Sequence, residues 1–211
     1  MISPAEFIPI AEESGLINQL GEWVLATACV EAAKWPDHVR LAVNVSPVQF
    51  KSGTLALKVI AALAASGLPA DRLELEITEA VLIRDDDMAL AILHQLRSIG
   101  VRIALDDFGT GYSSLSYLKR FPFDKIKIDR CFVTDIAEPD GSAGIVRAVV
   151  DIAAERDMMT TAEGVETAEQ QRILRELGCS EMQGYLFSAP KPAEIVREML
   201  LAHREIGRAH V

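Results

Sequence analysis

At 211 residues, half of them hydrophobic, the chain is long enough for one domain with a substantial core and too apolar to be disordered. Its formal charge of -10 argues against binding to a nucleic-acid polymer, although divalent cations would let an acidic site take a small phosphate ligand. No apolar run reaches the roughly 18 residues of a membrane span, and no basic start followed by an apolar stretch suggests a signal peptide, so a cytoplasmic location is expected.

The first predicted element is a helix. Ser3-Pro4-Ala5-Glu6 reads as a capping box with proline at the first helical position; the helix runs to about Ser14, and Gly15 stops it. A second helix, about Ile17 to Ala33, carries Leu20, Val24, Leu25 and Ala28 on one face and ends before Pro36. Strand-like runs follow at Leu41–Val45, Leu73–Ile77, Arg102–Leu105, Lys125–Ile128, Met159–Ala162 and about Glu181–Leu186. Between them lie helical patterns. Thr54–Ser66 has Leu57, Ile60 and Leu63 in phase, with Gly67 after it. Asp86–Ser98 has Leu90, Leu93 and Leu96, with Gly100 after it, and its Asp85-Asp86-Asp87 start reads as a helix-start charge cluster. Ser113–Arg120 suits one short helix, and Gly141–Arg156 and Thr167–Leu177 follow, the latter with a Thr167…Gln170 capping box. A last helix spans about Ala193 to His203. Cys29, Cys131 and Cys179 lack metal-type spacing and are expected to be reduced core thiols, while Trp23 and Trp35 suit a core or an interface.

Six strands, each followed by a helix, imply a parallel sheet with right-handed crossovers, compatible with a doubly wound sheet or a (β/α)8 barrel. The polar residues favour the barrel. Successive strands end at Asn44, at Glu76 and Glu79, at Asp106 and Asp107, at Lys127 and Asp129, and at Glu163 and Glu166, and the sixth carries Gln183. A barrel gathers such ends on one face, where barrel enzymes keep their sites. Oxygen ligands without histidine or cysteine select Mg²⁺, Mn²⁺ or Ca²⁺ over zinc. The adjacent Asp106 and Asp107 would point to opposite sides of an ideal strand, so the chain must turn there for both to bind. Two bridged metals would clamp a phosphoryl group and activate a water, with a lysine balancing the developing charge, which suggests metal-assisted hydrolysis of a phosphate ester. Asp129 and Glu166 also admit structural roles, the first as a turn cap or ion-pair partner and the second at the start of the following helix.

These residues resemble the EAL-domain family of cyclic-di-GMP phosphodiesterases. The matching segments are Phe7-Ile8-Pro9-Ile10-Ala11-Glu12, Asn44-Val45-Ser46-Pro47, Leu75-Glu76-Ile77-Thr78-Glu79, Asp106-Asp107-Phe108-Gly109-Thr110-Gly111-Tyr112-Ser113-Ser114, Lys127-Ile128-Asp129, Ala162-Glu163-Gly164-Val165-Glu166-Thr167 and Gln183-Gly184-Tyr185. The resemblance implies a modified (β/α)8 TIM-like barrel that opens one phosphodiester bond of cyclic-di-GMP to give linear pGpG, with Mg²⁺ or Mn²⁺ in a two-metal site. It implies that Asn44, Glu76, Asp106 and Asp107 bind metal and that Glu163 is a further ligand or general base. Lys127 would contact the water or scissile phosphate, Gln183 would complete the site, and Glu79 would anchor the Asp107–Ser114 loop, including Phe108, Gly109, Thr110, Gly111, Tyr112 and Ser113. It also implies a homodimer and fusion to upstream sensory or diguanylate-cyclase-like domains.

One departure is large, because the chain contains no Glu-Ala-Leu, the motif that names the family and supplies a metal-binding glutamate. The expectation is therefore a partial domain over residues 1–204, with about six of the eight barrel strands, an exposed apolar seam and impaired turnover. Residues 205–211 read as a non-native tail.

Overall fold

The structure is a computed structural model in which residues 2–84, 86–109 and 115–208 are described. Side chains alternate between the two faces of its strands. In β1 (Leu41–Val45) Leu41, Val43 and Val45 are buried while Ala42 and Asn44 are exposed. The same alternation sends Leu73, Leu75 and Ile77 of β2 (Leu73–Thr78) to one face and Glu74, Glu76 and Thr78 to the other. In β3 (Arg102–Phe108), β4 (Lys125–Ile128) and β5 (Met159–Ala162), the core-facing positions include Ile103, Leu105, Ile126, Ile128 and Ala162.

The helices lie in chain order as α1 (Pro4–Ser14), α2 (Ile17–Ala32), α3 (Pro47–Lys51), α4 (Leu55–Ser66), α5 (Ala80–Arg84), α6 (Asp86–Ser98), α7 (Leu115–Arg120), α8 (Arg130–Thr134), α9 (Ala143–Ala154), α10 (Ala168–Glu176) and α11 (Ala193–Arg208). All strand pairings are parallel, and the strand order is β1-β2-β3-β4-β5-β6, closed by the two-residue β6 (Glu181–Met182). This order decides between the two folds the alternation allows. A doubly wound sheet reverses its strand order at a switch point and covers both faces with helices. Here the order never reverses, so right-handed crossovers place the helices on one face and leave a charged concave face, as in a barrel. The six strands form a half-barrel, with the hydrophobic core between the sheet and its helices.

Several local expectations change. The Ser3 side chain makes no cap hydrogen bond: its backbone carbonyl takes the N–H groups of Glu6 and Phe7, and Pro4 has no N–H to satisfy. By contrast Thr167 and Gln170 form a reciprocal capping box. The buried face of α4 is Leu55, Ala56, Val59 and Ala62, whereas Leu57 and Ile60 are 67% and 44% exposed. That helix is apolar around its whole circumference, so periodicity alone does not choose the face that packs on α2. β6 stops at Met182 because the chain turns through Gly184, with the Phe187 N–H on the Gly184 carbonyl. Cys29 and Cys179 are buried free thiols, but Cys131, at the start of the short α8, is exposed rather than in the core. Trp23 is 65% exposed on α2, and Trp35 packs against the core and donates to Glu31.

Two arginines tie the periphery. Arg72 is buried and donates to the carbonyls of Val39, Ala32 and Trp35, closing the end of α2 and the turn before β1. Arg72→Met strands those carbonyls, so chemical denaturation is expected to show a loss of about 2–4 kcal/mol. The Arg197 guanidinium of α11 donates to both carboxylate oxygens of Glu31 of α2, each at 2.7 Å. Beside β1, a groove of about 890 Å³ is lined by Phe7, Ile8, Leu20, Trp23 and Val24. Among the described residues, no helix is long and apolar enough to cross a membrane.

Candidate active site

The site is built at the C-terminal ends of the strands. Its centre is Lys127 of β4, which is 4% exposed. Its ammonium lies 2.8 Å from Glu76 of β2, 2.9 Å from Asp106 of β3 and 2.7 Å from Glu163, just past β5. Burial opposes the charge on Lys127, but Glu76, Glu163 and Asp106 more than offset it and raise its pKa above that of an ordinary lysine. Gln183, just past β6, donates to Glu163 at 2.7 Å. The backbone N–H of Glu163 bonds to Ile128 and that of Gln183 to Ala162, so these side chains are set by the sheet's own continuation.

Asp106 and Asp107 reach the same centre through a break in the strand. The β3–β4 register shifts between Leu105 and Phe108, and Asp107 takes a left-handed φ of 54°. Aspartate tolerates that conformation better than most residues. The Asp107 N–H bonds to the Asp106 carboxylate at 3.0 Å. The turn brings ligand oxygens of Asp106, Asp107 and Glu163 within 4.8 Å of one another. Burial comes first in raising the pKa of Glu76, Asp107 and Glu163; Asp106 adds to all three, while Lys127 pulls each down.

This donor set fits a hard divalent cation. It is made of oxygens, and four carboxylates face one ammonium, so negative charge is left to balance. Glu76 joins the cluster through Lys127. Asn44 lies beside Glu76 in the β1–β2 ladder, on the same concave face.

The remaining predicted residues divide. Buried Glu79 accepts the Gly109 N–H at 3.4 Å, which ties the end of β3 to the segment after β2. Phe108 is in the core. Asp129 caps α8 by accepting from the Cys131 N–H, and its charge also acts on Asp107. Glu166 is exposed, and its backbone N–H goes to Gln170 at the start of α10. Thr110, Gly111, Tyr112 and Ser113 lie outside the described residues. Gly109 has a φ of 96°, and a Cβ there would come within 2.7 Å of the Phe132 ring. Gly109→Ala is therefore expected to cost at least about 1–2 kcal/mol and to loosen the Glu79 contact, read by thermal melting and by comparing the exchange rate of the backbone amide at position 109 in the two proteins.

Two features were not anticipated. Below the Lys127 layer, Lys125 bridges Glu74 and Glu181 at 2.7 Å each, and Thr161 donates to Glu181 at 3.0 Å. The signal was present, because these residues sit two positions before site residues and alternation puts both sets on one face. Beside Glu163 and Gln183 a cavity of about 580 Å³ is lined by Arg130, Tyr185, Lys191, Met199 and Leu200. Much of that lining comes from β6–α11, where no periodic signal marked it.

Fold and site together define a half-barrel α/β protein with an acidic, lysine-centred cluster at its strand ends. The EAL domain family model matches residues 1–190, and the chain belongs to that family. It is 46% identical over 198 residues to the bifunctional diguanylate cyclase/cyclic di-GMP phosphodiesterase MucR of Pseudomonas aeruginosa, covering 92% of this chain and 29% of MucR. The solved cyclic di-GMP complex of the MucR phosphodiesterase superposes with a TM-score of 0.87, over 92% of this chain and 81% of that one. The cyclic di-GMP phosphodiesterase PdeR of Escherichia coli is 42% identical over 196 residues, 92% of this chain and 30% of PdeR. The manganese and cyclic di-GMP complex of Klebsiella pneumoniae BlrP1 is 36% identical, with a TM-score of 0.72, over 82% of this chain and 45% of that one. The chain thus spans about a quarter to a third of the curated relatives it matches.

Proposed function

We propose that the chain carries a metal-dependent phosphodiesterase site that hydrolyses cyclic di-GMP to linear pGpG. The carrying observation is the convergence of Asp106, Asp107 and Glu163 around Lys127 in a member of this family. Asn44, Glu76, Asp106 and Asp107 hold Mg²⁺ or Mn²⁺, and Glu163 is a further ligand or the base that takes a proton from the attacking water. When bound, the metal supplies Lewis-acid polarisation of the phosphodiester and a nucleophilic water at neutral pH. Lys127 offers a fixed positive charge to the negative charge that develops on the phosphoryl oxygens. Gln183 orients Glu163 through its 2.7 Å hydrogen bond. Glu79 holds the backbone at Gly109, at the end of β3. The solved complexes of relatives with cyclic di-GMP and manganese support this reading. We also propose a homodimer and a parent protein with further signalling domains; the bifunctional MucR supports the second.

A second reading, binding of cyclic di-GMP without turnover, is favoured by the absence of Glu-Ala-Leu from the chain. The experiment that separates the two incubates the chain with cyclic di-GMP and Mn²⁺ and follows pGpG by chromatography. Weak turnover that EDTA abolishes is the expected result. Binding without any pGpG favours the second reading, and neither binding nor turnover refutes both.

A further inference from the structure

We propose that Glu12 is a positioning residue for Asn44, an inference that rests on the reading of Asn44 as a metal ligand. Asn44 stands near the end of β1, which among the described residues pairs with β2. Two residues later Ser46 opens α3, and its hydroxyl donates to the Glu12 carboxylate of α1 at 2.6 Å. A hydroxyl–carboxylate bond this short belongs to the strong, charge-assisted class.

The same serine is held in three other ways. Its oxygen accepts the Val48 N–H at 3.2 Å, its own N–H bonds to the Gln49 side chain at 3.0 Å, and its carbonyl takes the Gln49 N–H at 3.0 Å. Gln49 is itself wedged against α2, since a Cβ at Gly21 would fall 2.2 Å from its amide nitrogen. Three helices thus clasp the turn at which β1 ends. Of these bonds, the Glu12 contact alone ties that turn to a residue 34 positions away. Glu12 thereby fixes where the end of β1, and so the Asn44 amide, stands. The segment containing Glu12 otherwise has no part in the proposed chemistry.

The test uses the whole 211-residue chain. The side-chain amide resonances of Asn44, assigned with Asn44→Ala, are followed by NMR in the folded protein, with melting curves recorded for each variant. Glu12→Ala and Ser46→Ala are each expected to shift and broaden those resonances, and the double variant no further. Glu12→Gln, whose carbonyl can accept the same hydroxyl, should leave them near their wild-type positions. Mn²⁺ affinity by calorimetry should fall about tenfold in Glu12→Ala, and Glu12→Ala should have no added effect in an Asn44→Ala background. Unmoved Asn44 resonances in folded Glu12→Ala overturn the proposal. If they move while Asn44→Ala leaves Mn²⁺ affinity unchanged, the positioning stands and the assignment of Asn44 as a ligand falls.

Discussion

Replacing Lys127 with methionine is expected to abolish turnover and to lower the melting temperature of the metal-free chain by roughly 10 °C. The second effect follows from burial. Glu76, Asp106 and Glu163 share the Lys127 ammonium at 2.7–2.9 Å, and Lys127 is 4% exposed. Without a bound cation, that ammonium is the positive charge held between these three carboxylates. Removing one partner of a buried ion pair costs about 3–5 kcal/mol, and each kcal/mol shifts the melting temperature of a domain of this size by about 2–4 °C. Mn²⁺ should restore part of the lost stability, because it supplies positive charge to the same carboxylates. Calorimetry with EDTA and with Mn²⁺ checks both claims. A metal-free Lys127→Met that melts with the wild type would show that the carboxylates do not depend on the lysine.

Asp107→Asn should do the opposite to stability. Burial, then the charges of Asp106 and Asp129, hold the Asp107 carboxyl above the usual carboxylate range, so its ionised form is disfavoured in the folded protein. Asparagine removes the charge and keeps the side-chain size and the tolerance of a left-handed φ. The metal-free chain should therefore melt at the wild-type temperature or up to roughly 3 °C higher. Mn²⁺ affinity should fall about 100-fold or more, since one of the three converging ligand oxygens loses its charge. Asp107→Ala serves as the control: it loses the same charge but places an alanine at a φ of 54°. It should melt below Asp107→Asn by the equivalent of about 1 kcal/mol. Equal melting of the two variants would show that the turn at the end of β3 carries no backbone strain.

The strands could be read from the sequence because they are short apolar-rich runs bounded by turn residues, and in β2 and β4 apolar residues toward the helices alternate with charged residues toward the concave face. Leu73–Glu74–Leu75–Glu76–Ile77 shows this plainly, although all five residues are buried, because the glutamates are covered on the concave side by Lys125 and Lys127. The strand ends were readable for the same reason: Glu76, Lys127 and Glu163 are polar where the chain leaves a parallel sheet. The face of α4 was not, because a helix of Leu, Ile, Val and Ala offers no contrast for periodicity to use. The need for a turn between Asp106 and Asp107 was clear from alternation, but its form was not. A register shift and a left-handed aspartate are properties of the β3–β4 pairing, which no single segment encodes. The hold of Lys127 on three carboxylates likewise requires β2, β3, β4 and the end of β5 to be assembled.

The grip of Arg197 on Glu31 has a kinetic meaning. Each strand pairs with its neighbour in the chain, so the sheet can grow one β–α unit at a time with short loops to close. The Arg197–Glu31 contact instead joins residues 166 positions apart. Contacts of such separation tend to form after local ones. The sheet would therefore be largely assembled before α11 latches onto α2, and the latch would govern how fast the protein opens more than how fast it folds.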